Sequence, residues 1–231
     1  MRDTAARTGG TSPSAAPVPP RWPLHIRIYR AALARLERWF GLKLVVIYRR
    51  PLLADHGTTM RIDETYSFRE LTEQDLLRFS DDPALGLSRD FIHNALKSGD
   101  VSFGVLHADR LVSYRWYAFS GTTPCEHGLS MRYAYPGRTF GYKAFTDPSY
   151  RGKRLQDYCM QHADPILLRR GCTHTIGYIA LYNLPSLRVV SRARDTKFLG
   201  IIAYTTVLRR NLAVATPAVR RNRISMVADA S

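Results

Sequence analysis

Two hydrophobic rhythms run along the chain, one with a period near four and one with a period of two, and the switches between them mark its elements. From Pro23, the segment WPLHIRIYRAALARLERWFG places Leu24, Ile28, Ala32, Leu36 and Phe40 four apart, with Arg27, Arg30, Arg35 and Arg38 elsewhere around the wheel. That spacing predicts an amphipathic helix, opened by a proline suited to a first turn and closed on Gly41. Leu42 to Tyr48 is an apolar, β-branched run and reads as a strand ended by Pro51. After the polar stretch ADHGTTMRIDE, a short strand leads to Thr72, which with Asp75 three residues on makes a capped helix entry. Ser88 caps a second helix that stops at Gly99-Asp100. VSFGVLHADRLVSYRWYAF is two alternating segments around His107-Ala108-Asp109-Arg110, which is a hairpin. A loop with Gly121, Pro124 and Gly128 precedes a Tyr-rich strand at SMRYAY, and Pro136-Gly137 turns the chain into the strand RTFGYKAFT. DPSYRGK is a turn into the helix RLQDYCMQHADPILLRRG, expected to bend or break near Pro165. THTIGYIAL is a strand, LPSLRVVSRAR a helix and LGIIAYTTVLRR a final strand. This order predicts an α/β (α+β) domain with a single mixed, mostly antiparallel twisted sheet flanked by helices.

Composition narrows the setting. The 231 residues are 45% hydrophobic with three cysteines, enough chain for a sizeable core without staples and too few thiols for a disulfide framework. A reducing, cytoplasmic compartment is therefore expected. No apolar run has the length of a membrane span or the form of a signal peptide. The net charge is +15, from 34 basic residues against 19 acidic ones. Taken by segment, residues 1–55 carry +7, residues 56–208 only +4 and residues 209–231 another +4. The excess lies in the flanks, so the domains expected are a disordered tail over 1–20, a basic amphipathic helix and added strand over 21–55, a core domain over 56–210 and a basic C-terminal tail over 211–231. The basic helix has two readings: an in-plane helix on an anionic membrane surface, engaged through residues 21–50 with Trp22, Tyr29 and Trp39 near the headgroups, or a helix that packs its apolar stripe on the domain, the commoner use of this pattern. Nucleic acid is a less apt partner, because Arg209 to Arg223 carries no interleaved aromatic residues.

The chemistry concentrates where a strand passes through Phe145-Thr146-Asp147-Pro148-Ser149-Tyr150-Arg151-Gly152-Lys153-Arg154 into a helix at Leu155-Gln156. A helix N-terminus preceded by a glycine and three basic side chains suits a phosphate. Alone, such a turn most often only caps a helix. Around it, however, the sequence resembles the GCN5-related N-acetyltransferases. Leu71-Thr72-Glu73-Gln74-Asp75 matches that family's Leu-Thr-x-x-Asp helix entry, Pro148-Ser149-Tyr150-Arg151-Gly152-Lys153 its Pro-x-Tyr-Arg-Gly-Lys loop, and Asn183-Leu184-Pro185-Ser186 its Asn-x-x-Ser helix, the likeness covering residues 60 to 208.

The resemblance implies an acyl-CoA N-acyltransferase fold, with acetyl-CoA or another acyl-CoA as co-substrate and an amine as acceptor, either a small molecule or a cell-envelope precursor. Phe145 and Thr146, the turn and helix entry Arg151, Gly152, Lys153, Arg154, Leu155 and Gln156, and Asn183 with Ser186 become cofactor-binding residues, and the backbone N–H of Ala144 or Phe145 an oxyanion donor. Glu126, His127 and Tyr142 are open candidates for the general base. Two departures stand out: Arg154 and Gln156 replace residues that the family prefers as Gly and Gly or Ala, and Val190 stands where it often places a tyrosine acid. The other class of function is a noncatalytic basic adaptor of the same fold that binds anionic membrane or RNA. The localisation implied is cytoplasmic, peripheral at the inner face of a membrane where the helix docks. Cys159, His162, Cys172 and His174 are metal-ligand types within sixteen residues, but their spacing fits no common zinc pattern and no metal is expected. No G-x-S-x-G, complete P-loop or full dinucleotide fingerprint is present.

Overall fold

The computed structural model describes residues 23–56, 62–125, 129–134, 136–207 and 210–228. Residues 1–20, Glu126 and His127 lie outside the described residues. Helix α1 (Leu24–Phe40) leads into strand β1 (Lys43–Pro51), followed by β2 (Tyr66–Glu70), α2 (Glu73–Phe79) and α3 (Arg89–Lys97). The hairpin is β3 (Val101–His107) and β4 (Arg110–Ala118), and β5 (Thr122–Pro124), β6 (Leu129–Arg132) and β7 (Arg138–Thr146) come next. Then follow α4 (Leu155–Arg169), β8 (His174–Ala180), α5 (Leu184–Arg192), β9 (Lys197–Val207), β10 (Arg210–Ala215), α6 (Pro217–Arg221) and β11 (Ser225–Ala228).

Local chemistry accounts for most of these boundaries. Thr72 and Asp75 form a reciprocal capping box at α2, and Ser88 accepts from the Phe91 N–H at α3. The β3–β4 turn sets Ala108 and Asp109 at φ 45° and 61°, the left-handed pair that a two-residue hairpin turn requires. Helix α4 runs unbroken through Pro165 where a bend or break was expected. Its buried side holds Leu155, Cys159, Ala163 and Leu167 against Phe103, Val105 and Tyr117 of the hairpin, and that packing holds the helix across its missing N–H.

Eight strands form one sheet in the order β10-β9-β1-β8-β7-β4-β3-β2, antiparallel in every pair except β7 with β8. The strand expected as an addition ahead of the domain is therefore a central one: β1 lies between β8 and β9. One face is covered by α4 and α5. The opposite face has α2 and α3 over β3 and β4, with Leu76, Phe79 and Ile92 on Leu106, Tyr114 and Trp116. Its other half is covered by a small second sheet, β11-β6-β5, and by α6, which place Leu129, Met131, Val219 and Met226 on Ile47, Phe140 and Ile202. Residues 210–228 thus depart from the basic tail expected over 211–231. They supply an edge strand, a helix and a partner for β6, because Val219, Ile224 and Met226 find apolar surface to cover.

Beneath α4, Arg50 of β1 makes a two-pronged pair with Asp164, Nη2 to Oδ1 at 2.6 Å, both side chains buried. Helix α1 behaves differently from the packed helices. Its stripe points outward, with Leu24 69%, Ile28 60% and Phe40 64% exposed, while Ile26, Leu33 and Glu37 form the half-buried side. Among the described side chains of that stripe, the packing on the domain is absent.

Candidate functional site

Strands β7 and β8 run side by side only from Arg138–Gly141 against His174–Gly177. Beyond that rung β7 continues to Thr146 and β8 to Ala180 without pairing, so the sheet opens into a V. A bulge starts the divergence: Lys143 faces Trp116 and Gly141 faces Tyr117, leaving Tyr142 as the extra residue. Two glycines close the V. A side chain at Gly177 would fall inside the Tyr48 phenol, and one at Gly141 would meet the Arg115 guanidinium at 3.3 Å. Arg115 Nη2 donates to Tyr48 Oη at 2.7 Å directly over this last rung.

The ladder fixes which backbone groups face the opening. Asp147 N–H donates to Val112 O at 2.9 Å, and antiparallel alternation then turns Phe145 toward β4 and Ala144 and Thr146 toward the V. Of the two oxyanion donors suggested by sequence, Ala144 has its N–H directed into the opening, whereas that of Phe145 is committed to the β4 ladder. Thr146 O accepts from Arg151 Nε at 3.4 Å, which folds the turn back over the strand end.

The turn into α4 is built for free N–H groups. Asp147 accepts from Ser149 N and makes one 3-10 turn over Pro148–Tyr150, after which Gly152 and Arg154 take φ of 85° and 59°. Arg154 is the N-cap residue in the left-handed region and no side chain caps the helix. Among the described residues, the N–H groups of Gly152 to Asp157 have no protein acceptor, so they and the positive helix end present an anion cradle at the mouth of the V. Gly152 meets no neighbour that a Cβ would strike, and its backbone angle alone calls for glycine.

The side chains around that cradle divide. Arg151 and Arg154 stay beside the turn, Arg154 Nε pairing with Asp157 at 2.8 Å. Lys153 turns its ammonium to Tyr66 Oη at 2.7 Å, a bond that raises its pKa, and over the Tyr66 and Tyr150 rings. Leu155 is buried in the core and offers only its N–H. Gln156 bends underneath: its amide nitrogen reaches Phe145 O and Ser113 Oγ at 2.8 Å and Tyr114 O at 3.1 Å, stitching β4 to β7. The residue that replaces a small one in the family loop therefore leaves the helix mouth clear.

At the other bank, Asn183 caps α5, accepting from the Ser186 N–H at 3.3 Å, just past the end of β8. Val190 is buried against Tyr48 and Ile179, and no acid occupies its position. Tyr142 stands at the bulge with its hydroxyl on Asp100 Oδ2 at 2.9 Å. Burial pushes the Asp100 carboxyl up to about 6 against the opposing hydrogen bond. The Cys and His residues separate: Cys159 is enclosed under α4 with its pKa driven up to about 12 by burial, and His162 lies between Phe68 and Tyr158. Cys172 is buried at the end of the core, and His174 Nδ1 meets Thr173 Oγ1. Among the described residues no group of three or more His, Cys, Asp or Glu could hold a metal ion. Sequence reasoning missed Arg115, Tyr48 and Asp100. Only the sheet register brings Arg115 to Tyr48 and Asp100 to Tyr142.

No protein-family model matches this sequence, and no curated protein matches it. Solved structures do. A GCN5-related N-acetyltransferase from Sphaerobacter thermophilus is 12% identical with a TM-score of 0.51, the match covering 74% of this chain and 54% of that one. A Drosophila protein is 13% identical with a TM-score of 0.50, covering 83% of this chain and 57% of its own. The chain has the fold of the GCN5-related N-acetyltransferases, and it spans just over half the length of these two chains.

Proposed function

We propose that the protein is an acyl-CoA-dependent N-acyltransferase. The observation that carries this reading is the V between β7 and β8 with six unpartnered N–H groups of Gly152 to Asp157 at its mouth. An extended thioester arm fits the unpaired edge of β7, where Ala144 and Thr146 offer strand-like backbone bonds, and a diphosphate fits the cradle with Arg151 and Arg154 beside it. The amine nitrogen attacks the thioester carbonyl, whose oxygen gains charge within reach of the Ala144 N–H. The C–S bond then breaks, the amine loses a proton to a base, and the thiolate takes one up. The fixed N–H serves because it is oriented before charge develops. The acyl group is acetyl or longer, and the acceptor is an amine of a small molecule or envelope precursor. Release of CoA thiol from acetyl-CoA with a panel of primary amines tests this. Amine-dependent release supports it, and none from any acyl-CoA refutes it.

For residues 21–50 we propose an anionic membrane surface as partner. Leu24, Ile28, Trp39 and Phe40 are 60% to 70% exposed, with the exposed Arg27, Arg35 and Arg38 around them. No helix among the described residues is long and apolar enough to cross a membrane, so the docking is in the plane of the surface.

A further inference from the structure

The second sheet carries a row of polar side chains on the face turned away from the core. Thr122 of β5, Arg132 of β6 and Ser225 of β11 stand in one cross-strand rung, all exposed, while the neighbouring Met131 and Met226 are buried against the large sheet. A groove of about 630 Å³ opens over that rung, and Gly121, Arg220 and Arg223 complete its walls. Helix α6 delivers the two arginines. It ends with the Ile224 N–H on Val219 O at 3.3 Å and the Arg223 N–H on Arg220 O at 2.8 Å, which sets Arg223 at φ 56°, a closing position that favours glycine.

More positive charge stands behind the groove. Arg138, which opens β7, donates from Nη1 to Asn222 O at 2.8 Å and so ties the large sheet to the end of α6, and Arg220 Nε donates to Ala215 O at 2.9 Å. Burial and the charges of Arg49 and Arg223 hold the Arg138 guanidinium below its ordinary value. Elsewhere the chain pairs its arginines, Arg50 with Asp164, Arg154 with Asp157 and Arg170 with Glu70. Among the described residues, none of Arg49, Arg132, Arg138, Arg220 and Arg223 forms an ion pair with a carboxylate. Like charges held together without a counter-charge repel, and a multiply charged anion between them turns that repulsion into attraction.

The lining selects the kind of anion. A guanidinium fork meets phosphate oxygens in pairs, and the Thr122 and Ser225 hydroxyls donate to the same acceptors. No free aromatic face is offered to a base, since the Tyr133 ring at the border is stacked on Phe140 with its hydroxyl on Ala118 O. The groove also faces away from the lipid surface proposed for α1. That helix rests by Leu33 and Glu37 beside Leu44 and Leu181, on the side of the large sheet opposite Val45 and Ile47, which the second sheet covers. The acyl-transfer centre is distant too, because Ala144 lies six residues along β7 from Arg138, about 20 Å of extended chain. We infer that this groove is a second anion site, separate from the cradle at α4, and that it takes a chain of three phosphates, free or on a nucleoside whose base lies outside. Arg132, Arg220 and Arg223 engage the phosphates, and Thr122 and Ser225 donate to the oxygens between them. The site stands whether or not the V receives an acyl-CoA.

The test is calorimetric titration with tripolyphosphate and with ATP of the full chain, first saturated with acetyl-CoA so that the cradle is occupied. One site per chain is expected, with Arg132→Gln and Arg223→Gly each weakening tripolyphosphate by about tenfold or more and leaving acetyl-CoA affinity unchanged. Arg223→Gly removes the charge at a backbone angle that glycine prefers, so the fold is kept, and a thermal melt confirms it. Arg221→Gln is the charge-matched control. Arg221 is exposed on the same helix but does not line the groove, and its loss should change affinity by less than about twofold. Tripolyphosphate bound as tightly as ATP, or more so, assigns the site to the phosphate chain alone, and tighter ATP assigns it to a nucleotide. No saturable heat from tripolyphosphate, an equal loss in all three variants, or binding of a short RNA duplex without tripolyphosphate would overturn the site. A protein that does not bind acetyl-CoA, yet loses tripolyphosphate in Arg132→Gln and Arg223→Gly but not in Gly152→Val, keeps this site and defeats the acyltransferase reading instead.

Discussion

Arg154 is where the turn stores strain, and replacing it by Gly and by Ala separates backbone from side chain. Its φ of 59° and ψ of 28° cost an L-residue about 1–2 kcal/mol. Both replacements remove the guanidinium and its 2.8 Å pair with Asp157, worth about 0.2–1 kcal/mol because the arginine side chain is half exposed. Only glycine also removes the strain, at an entropic cost of about 0.5–1 kcal/mol from its looser unfolded chain. Arg154→Gly should therefore be more stable than Arg154→Ala by about 0.5–1 kcal/mol, a melting difference of about 1–4 °C in a chain of this size. Thermal denaturation at fixed pH and salt reads it. The same two proteins, equal in charge, should differ in acetyl-CoA affinity in favour of glycine, because the N–H cradle then forms without strain. An alanine variant as stable as the glycine variant would refute the left-handed geometry and the argument for the cradle built on it.

Asp164→Asn leaves the Arg50 guanidinium buried beside a neutral amide and should cost about 3–5 kcal/mol, a fall in melting temperature on the order of 10 °C; a change of a degree or two would mean the pair is hydrated. Asp100 binds its proton more tightly folded than unfolded, so its stabilisation is complete below about pH 4 and is lost as pH rises through about 6. Urea midpoints should accordingly show Asp100→Asn gaining on the wild type between pH 4 and 7, and a constant gap would contradict the buried carboxyl. Ile28→Glu with Trp39→Glu should abolish sedimentation with phosphatidylglycerol vesicles while leaving the melt unchanged, since both side chains face outward. Retained sedimentation would defeat the docking surface.

What the sequence disclosed is what neighbouring residues decide. The Thr72–Asp75 box, the Ser88 cap, the Ala108–Asp109 turn and the strand-to-helix passage at Phe145–Gln156 are each settled within a few residues, and each is found as read. Long-range pairing was not legible. Nothing near Lys43–Pro51 says that it enters between strands drawn from residues 174 to 207, and nothing after Arg210 announces that Ser225–Ala228 closes a sheet begun at Thr122. Polar residues misled for a related reason. Arg50, Asp100, Arg115 and Asp164 have the composition of a surface, and only tertiary partners make their burial tolerable. Arg154 was legible as a departure from glycine, but its left-handed backbone was not. Gln156 was likewise legible as a departure from a small residue, but not the place of its amide beneath the helix, where it holds two strands together.

The central claim is that the V between β7 and β8, with the N–H cradle at α4, receives an acyl-coenzyme A. Calorimetric titration of the full chain with acetyl-CoA and with dephospho-CoA tests it most directly, alongside Gly152→Val, which forces a β-branched residue into a φ of 85°. The account predicts one site per chain, saturable at micromolar concentrations, with affinity retained by ligands that keep the diphosphate and reduced at least tenfold in the folded valine variant. Absence of heat from acetyl-CoA and longer acyl-CoAs at high micromolar concentration, or equal affinity in Gly152→Val, would contradict it.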